Sequence, residues 1–235
     1  MKYKLNIIVV CTLLISLALI TFNVYKNQIR PYHLEKTVFS SKRYQSKLNL
    51  LITKTLKKGS IVLFGDSILE SLFFENDNIY NFAIGGETIG LLEKRIVEKE
   101  YPDSCTVFIM IGLNDLLFNM PLNNTVQRYE NLIKTVSDIK SFQEIFITEI
   151  LPVNAKGFFI DNDQVNLFIH KLNNELRNII DKDLTGKFSF VPLHSQFKGQ
   201  NTFLNEFYTY DGIHLNKNGT SLLKDNILNF LENEQ

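Results

Sequence analysis

Tryptophan is absent from this 235-residue chain, cysteine occurs twice and proline five times. Without Trp the chain lacks the side chain best suited to stacking on sugar rings. The two cysteines, Cys11 inside an apolar run and Cys105 at the start of an expected core strand, cannot pair with each other. That excludes a disulfide scaffold and leaves the redox compartment unreadable. Neither sign of charge is in excess, since 25 Lys and Arg face 25 Asp and Glu. A chain with no basic surplus lacks the electrostatic footprint that holds a nucleic acid backbone, so nucleic acid is not an expected partner. The interior also has no Gly/Pro/Ser-rich linker, internal repeat or low-complexity tract, which points to one α/β domain with an N-terminal appendage.

What is present begins with a run from Leu5 to Val24 without a charged residue, 20 positions long. About 20 apolar residues suffice to cross a bilayer as a helix. The small-x-small stretch Ser16-Leu17-Ala18 lies inside the run, where a signal peptidase site would follow it. The expectation is an uncleaved anchor over residues 1–25, N-terminus in and domain outside the cytoplasm, the alternative being secretion after cleavage. Residues 26–59 form a basic segment that includes Lys26, Arg30, Lys42, Arg43 and Lys47. Within it Tyr44, Leu48, Leu51, Ile52 and Leu56 fit one helix face, and the helix is expected to lie against the domain.

From residue 60 to the end, short apolar runs alternate with longer amphipathic ones, the pattern of a parallel sheet covered by helices. The expected strands are Ile61–Phe64, Ile79–Ala83, Thr106–Ile111, Glu144–Thr148 and Phe188–Val191. In such sheets ligands sit outside the carboxyl ends of the strands. The first three runs each stop in a polar or glycine turn: Gly65-Asp66-Ser67, Gly85-Gly86-Glu87-Thr88 and Gly112-Leu113-Asn114-Asp115. Parallel strands put these turns on one rim, and the loop Asp211-Gly212-Ile213-His214 before the final helix can return to it.

Each residue type on that rim has a chemical use. Asp and Ser cap helices, so Ser67 could be an N-cap. As a nucleophile it needs an adjacent base, which His214 can supply. The imidazole needs its second nitrogen held, and Asp211, three residues earlier, can hold it. A tetrahedral oxyanion needs donors, and the backbone N–H of Ser67, the backbone N–H of Gly86 and the Asn114 amide can converge. Asp66 and Asp115 read as turn-stabilising, and His33, His170 and His194 as structural or surface residues. No two histidines stand at ligand spacing and Cys105 has no partner, so neither a metal nor a cofactor is expected. Phe73, Phe74, Phe118, Phe158, Phe159, Phe203 and Phe207 read first as core or rim packing and second as an acyl pocket.

These four blocks, in this order, resemble the SGNH (GDSL-type) esterases and acylhydrolases: "GDSI" as the nucleophile block, "NFAIGGET" as the oxyanion-glycine block, "GLND" as the asparagine block and "DGIHL" as the terminal Asp-x-x-His block. The resemblance runs from about Ser60 to the C-terminus. It implies a flavodoxin-like three-layer α/β/α sandwich on five parallel strands, and metal-free hydrolysis of esters or thioesters through an acyl-serine. By the same resemblance Ser67, His214 and Asp211 are catalytic, and Ser67, Gly86 and Asn114 form the oxyanion hole, Gly85 being the second choice for the glycine. Two departures stand out: Ala83 replaces a frequent glycine and Glu87 a frequent aspartate. The expected substrate is an acyl ester of a cell-surface glycan or lipid, with a short group such as acetyl first. Alternatives are an O-acyltransferase, a lysophospholipase or thioesterase, and, last, a non-catalytic binding domain. Oligomeric state is left open.

Overall fold

The computed structural model describes residues 2–156, 160–199 and 201–233; for residues 2–8, 10, 27, 28 and 233 only the backbone is described. The chain opens with helix α1 (Lys2–Val24), a π-helical turn (Tyr25–Ile29), α2 (Arg30–Phe39) and α3 (Lys42–Thr53). The expected membrane span falls within α1, but several of its side chains lie outside the described residues. Among the described residues no helix is long and apolar enough to cross a membrane. The helix is therefore present while its membrane-crossing character is not carried by what is described. Helix α3 starts where Ser41 in extended conformation accepts the Tyr44 N–H, and it buries Tyr44 and Leu51.

The sheet has five parallel strands in the order β2-β1-β3-β4-β5. They are β1 (Ile61–Gly65), β2 (Ile79–Asn81), β3 (Cys105–Met110), β4 (Phe142–Thr148) and β5 (Phe188–Val191). All five were expected, with small shifts at their ends. Two shift by two residues: β4 starts earlier, at Phe142, and β2 stops at Asn81, whose side chain turns back, donating to the Leu69 and Leu72 carbonyls and accepting the Ala83 N–H. Strands β1, β3 and β4 carry unbroken apolar runs over Ile61–Phe64, Val107–Met110 and Ile145–Ile147 because helices cover both faces of a parallel sheet. Val62, Leu63, Phe64, Val107, Phe108 and Ile109 have no exposure at all. Burying each such side chain stabilises the fold by about 1.5–3 kcal/mol.

The connecting helices are α4 (Ser67–Glu70), α5 (Ile89–Ile96), α6 (Leu113–Leu117), α7 (Leu122–Asp138), α8 (Asn162–Asp181), α9 (His194–Phe197) and α10 (Lys217–Asn233). Right-handed crossovers place α5, α7 and α8 on one face, where α5 packs on α7 and α7 on α8. From β1 the chain moves outward to β2, then returns past β1 to β3. The strand order therefore reverses between β1 and β3, and that crevice is where an open α/β sheet binds its ligand.

Three asparagines on α8 hold the loop that follows β4. Asn173, Asn166 and Asn162 each accept a backbone N–H and donate to a carbonyl, at Ile150, Val153 and Ala155 respectively. A loop without secondary structure thus has its buried polar groups satisfied by side chains. It matters for the site because the Asn154 N–H donates to the Gly212 carbonyl at 2.7 Å.

Candidate active site

Strand β1 delivers Ser67 to the rim as the first residue of α4. The cap of that helix is Asp66, whose carboxylate accepts the Ile68 N–H at 3.0 Å. The capping role therefore falls to Asp66, and the Ser67 hydroxyl stands 3.1 Å from His214 Nε2. His214 Nδ1 lies 2.7 Å from an Asp211 carboxylate oxygen. The other Asp211 oxygen accepts the N–H of Ile213 at 2.9 Å and of His214 at 2.7 Å. Burial pushes the Asp211 carboxyl up, but hydrogen bonds from the His214 ring and these two amides outweigh it, so the net shift is below the usual carboxylate range. An ionised carboxylate can only accept, so Nδ1 carries the proton and Nε2 presents its lone pair to Ser67.

The loop that carries this pair is tied down locally. Thr209 donates its hydroxyl to the His214 carbonyl at 2.6 Å and accepts the Gly212 N–H at 2.8 Å. Gly212 has φ +85°, and a Cβ there would stand 1.8 Å from the Asn154 carbonyl oxygen. Only glycine lets the His214 loop sit this close to the loop after β4. Tyr210 stacks on the imidazole, its ring centroid 5.9 Å away.

The two further rim turns meet beside Ser67. The Ile84 N–H donates to the Gly65 carbonyl at 2.8 Å, and the Asn114 side-chain amide donates to the Glu87 carbonyl at 2.9 Å. That bond uses one amide hydrogen of Asn114 and leaves the second. Gly86, at φ +80°, occupies the left-handed region that glycine favours. Gly86 and Asn114 thus sit one residue and one hydrogen bond apart, and the structure brings together Ser67, His214, Asp211, Gly86 and Asn114.

Other titratable groups lie behind this rim. Burial pushes the Asp66 carboxyl up to about 7 against the Ile68 N–H, and pushes Asp115 up to about 7 against the Ile89 N–H and Arg128. The expected turn-stabilising role of Asp115 takes a definite form, since it accepts the Ile89 N–H at 3.0 Å and meets Arg128 at 3.2 Å. The Glu87 departure is matched by Arg95, which donates to both Glu87 oxygens at 2.6 Å. Burial alone would lower the Arg95 guanidinium, and the Glu87 carboxylate reverses that. His194 donates its backbone N–H to Glu149, His170 approaches Asn174, and His33 lies on α2. Phe73 and Phe207 are exposed and Phe74 packs on the core, whereas Phe158 and Phe159 lie outside the described residues. Among the described residues no group of three His, Cys, Asp or Glu side chains could hold a metal ion.

Glu35 and Glu70 were not expected at the site, and Tyr44 was expected only on the helix face that lies against the domain, where it is buried. Glu70 accepts the Gly85 N–H at 2.8 Å, while Tyr44 donates to Glu87 at 3.1 Å. The one available signal was their location: a carboxylate three residues past Ser67, and a tyrosine on the buried face of a helix.

Comparison with known proteins agrees with this geometry. The GDSL-like Lipase/Acylhydrolase family model matches residues 63–222, more than half of the chain. Among curated proteins, an N-acylneuraminate cytidylyltransferase of Escherichia coli is 28% identical over 173 residues, which are 71% of this chain and 39% of that protein. The chain thus spans well under half the length of that relative. A GDSL-like lipase from Bacteroides thetaiotaomicron superposes with TM-score 0.69 at 22% identity, covering 83% of this chain and 98% of the other. A Streptococcus pneumonia protein provisionally named a platelet activating factor superposes with TM-score 0.69 at 23% identity, covering 92% and 99%. With the family's four blocks meeting at one rim of its fold, the chain belongs to the GDSL-like lipase/acylhydrolase family.

Proposed function

We propose that the chain is a serine ester hydrolase that removes a short acyl group, acetyl first, from a glycan or lipid at the cell surface. The observation that carries the reaction class is the continuous relay from Asp211 through His214 to the Ser67 hydroxyl, with contacts of 2.7 and 3.1 Å. As Ser67 Oγ attacks the ester carbonyl, its proton passes to His214 Nε2 and the imidazolium is stabilised by Asp211. The carbonyl oxygen becomes an oxyanion that the Ser67 and Gly86 N–H groups and the free Asn114 amide hydrogen stabilise. Collapse breaks the ester C–O bond, and His214 returns the proton to the leaving alcohol. Water, deprotonated by His214, then attacks the acyl-serine and releases the acid with Ser67 restored. Side-chain exposure of 37% at His214 leaves water free to reach the acyl-enzyme, which favours hydrolysis over transfer to another acceptor.

Support for the glycan side comes from the curated relative, named for an acylated sugar acid; its cytidylyl transfer belongs to a protein that this chain matches over only 39% of its length. Support for the surface location comes from α1, whose Leu13, Leu14, Ile15, Leu17, Leu19, Ile20 and Phe22 are all exposed. A helix apolar on every side needs a nonpolar environment, and we read that as a membrane anchor with the domain outside the cytoplasm. The reaction class is tested with aryl esters of increasing acyl length, acetate turning over fastest. Ser67→Ala or His214→Ala should each reduce turnover on the order of 10⁴-fold. Retention of most activity by Ser67→Ala would overturn the nucleophile assignment.

A further inference from the structure

We propose that α2 and α3 hold the oxyanion turn in its working geometry, with Glu35, Tyr44 and Glu70 as positioning residues, so that the segment before the sheet is part of the catalytic unit. The inference rests on the esterase reading and names what keeps that site in register. It comes from four consecutive residues, each of which has a side chain of the N-terminal helices beside it, directly or, at Gly85, through Glu70.

Gly85 donates its N–H to Glu70, and the Glu70 carboxylate is bridged to Arg43 and, at 3.4 Å, to Lys47, both on α3. Next to it, Val38 of α2 approaches within 3.4 Å of the position a Gly86 Cβ would occupy. At Glu87, Tyr44 of α3 donates to the carboxylate, and the carbonyl of the same residue receives the Asn114 amide. Finally the Thr88 hydroxyl donates to Glu35 of α2. Glu35 also takes two bonds from Arg128, at 2.9 and 3.2 Å, and Arg128 reaches Asp115 beside Asn114. Both side-chain-independent and side-chain donors of the oxyanion hole, Gly86 N–H and Asn114, therefore hang between two ionic clusters whose far ends belong to α2 and α3.

A donor acts only if it is already aimed when charge develops, and displacement of about 1 Å can cost on the order of 10²-fold in rate. Gly85-Gly86 is a flexible pair by composition, with no side chain of its own to fix it. The bracing supplies that fixity from outside the turn. Helix docking for stability alone would explain the buried apolar contacts of Leu51 and Tyr44, but not polar contacts converging on this one turn.

The test uses the full-length protein in detergent, with Arg43→Ala/Lys47→Ala combined and, separately, Glu35→Gln. Arg43 and Lys47 have side chains 64% and 35% exposed, so their truncation leaves the core intact. Turnover of an aryl acetate, melting temperature and amide hydrogen exchange of the 82–89 peptide are read together. We expect kcat to fall about 10-fold to 10²-fold with KM within about two-fold. Exchange at residues 85–88 should quicken while the melting temperature of the double variant stays near that of the parent, and Arg43→Lys should restore most of kcat. Unchanged kcat, a lowered melting temperature without a kcat effect, or a pure KM change would each overturn the proposal. Absence of turnover in the parent would instead defeat the esterase reading, and exchange would still decide this one: no change at 85–88 in either variant overturns it.

Discussion

Asn114 spends one amide hydrogen on the Glu87 carbonyl and, in the proposed mechanism, offers the other to the oxyanion, so its replacement by Ala would remove both a donor and a tie between two turns. Asn114→Ala should lower kcat by roughly 10²-fold to 10³-fold with little change in KM, because the donor acts on charge that appears only in the transition state. Steady-state kinetics with an aryl acetate check this, and a change confined to KM would move Asn114 to substrate positioning. Asp66 makes a different prediction. Burial raises its carboxyl to about 7, against an unfolded value of about 3.9. A raised acid keeps its proton in the folded chain where the unfolded chain has lost it, so stability declines as pH rises from about 4 to about 7 and levels off above. Asp66→Asn removes that slope. Its melting temperature should gain on the parent between pH 4 and 7 and hold a constant lead above; an equal gain at pH 4 and 8 would mean that the carboxyl titrates normally.

Among the elements, α8 braces the loop after β4. Asn166→Ala would strip the Val153 N–H of its partner, and leave its carbonyl only the Leu204 N–H at 3.4 Å, in a position with no exposure. An unsatisfied buried polar group costs about 1–3 kcal/mol, and in a chain of this size each kcal/mol lowers the melting temperature by about 2–4 °C. Denaturant titration checks the expected loss; a stability change below about 0.5 kcal/mol would show that water replaces the side chain. Elements were legible in the sequence where one local signal defined them. The five strands were apolar runs, the first three closed by a polar or glycine turn, and Ser67, Gly86, Asn114 and His214 stood in those turns or the final loop. The asparagines of α8 were not legible, because they interleave with the apolar stripe of Val165, Phe168, Leu172 and Leu176 and look like ordinary solvated positions. Glu35 and Arg128 are 93 residues apart, and no periodicity links them. The short helices α6 and α9 were missed for the opposite reason, one turn carrying too few residues to show a period, whereas α4 was signalled only by the capping residues Asp66 and Ser67 at its start.

For the molecule as a whole, the location reading makes the remaining prediction. If α1 anchors the chain, full-length protein should sediment with membranes, and protease added to intact cells should digest the domain. Protection until lysis would show inverted topology, and a mature chain beginning after Ala18 would show a cleaved leader. The backbone from α1 through the π-helical turn to α2 is helical without a break from Lys2 to Phe39. Val38, which packs against the cluster of Tyr44, Ile84 and Leu91 beside the oxyanion turn, comes only 14 positions after Val24, a helical path of about 20 Å. On the proposed anchoring, α1 would act as a short stalk rather than a leash. An enzyme mounted this way meets its substrate by diffusion in two dimensions, and its rate depends on how densely esters populate the adjoining surface. If the proposed anchor holds, esters deeper in a surface polymer than that stalk allows would stay untouched at any concentration, and only those carried to the bilayer face would be consumed.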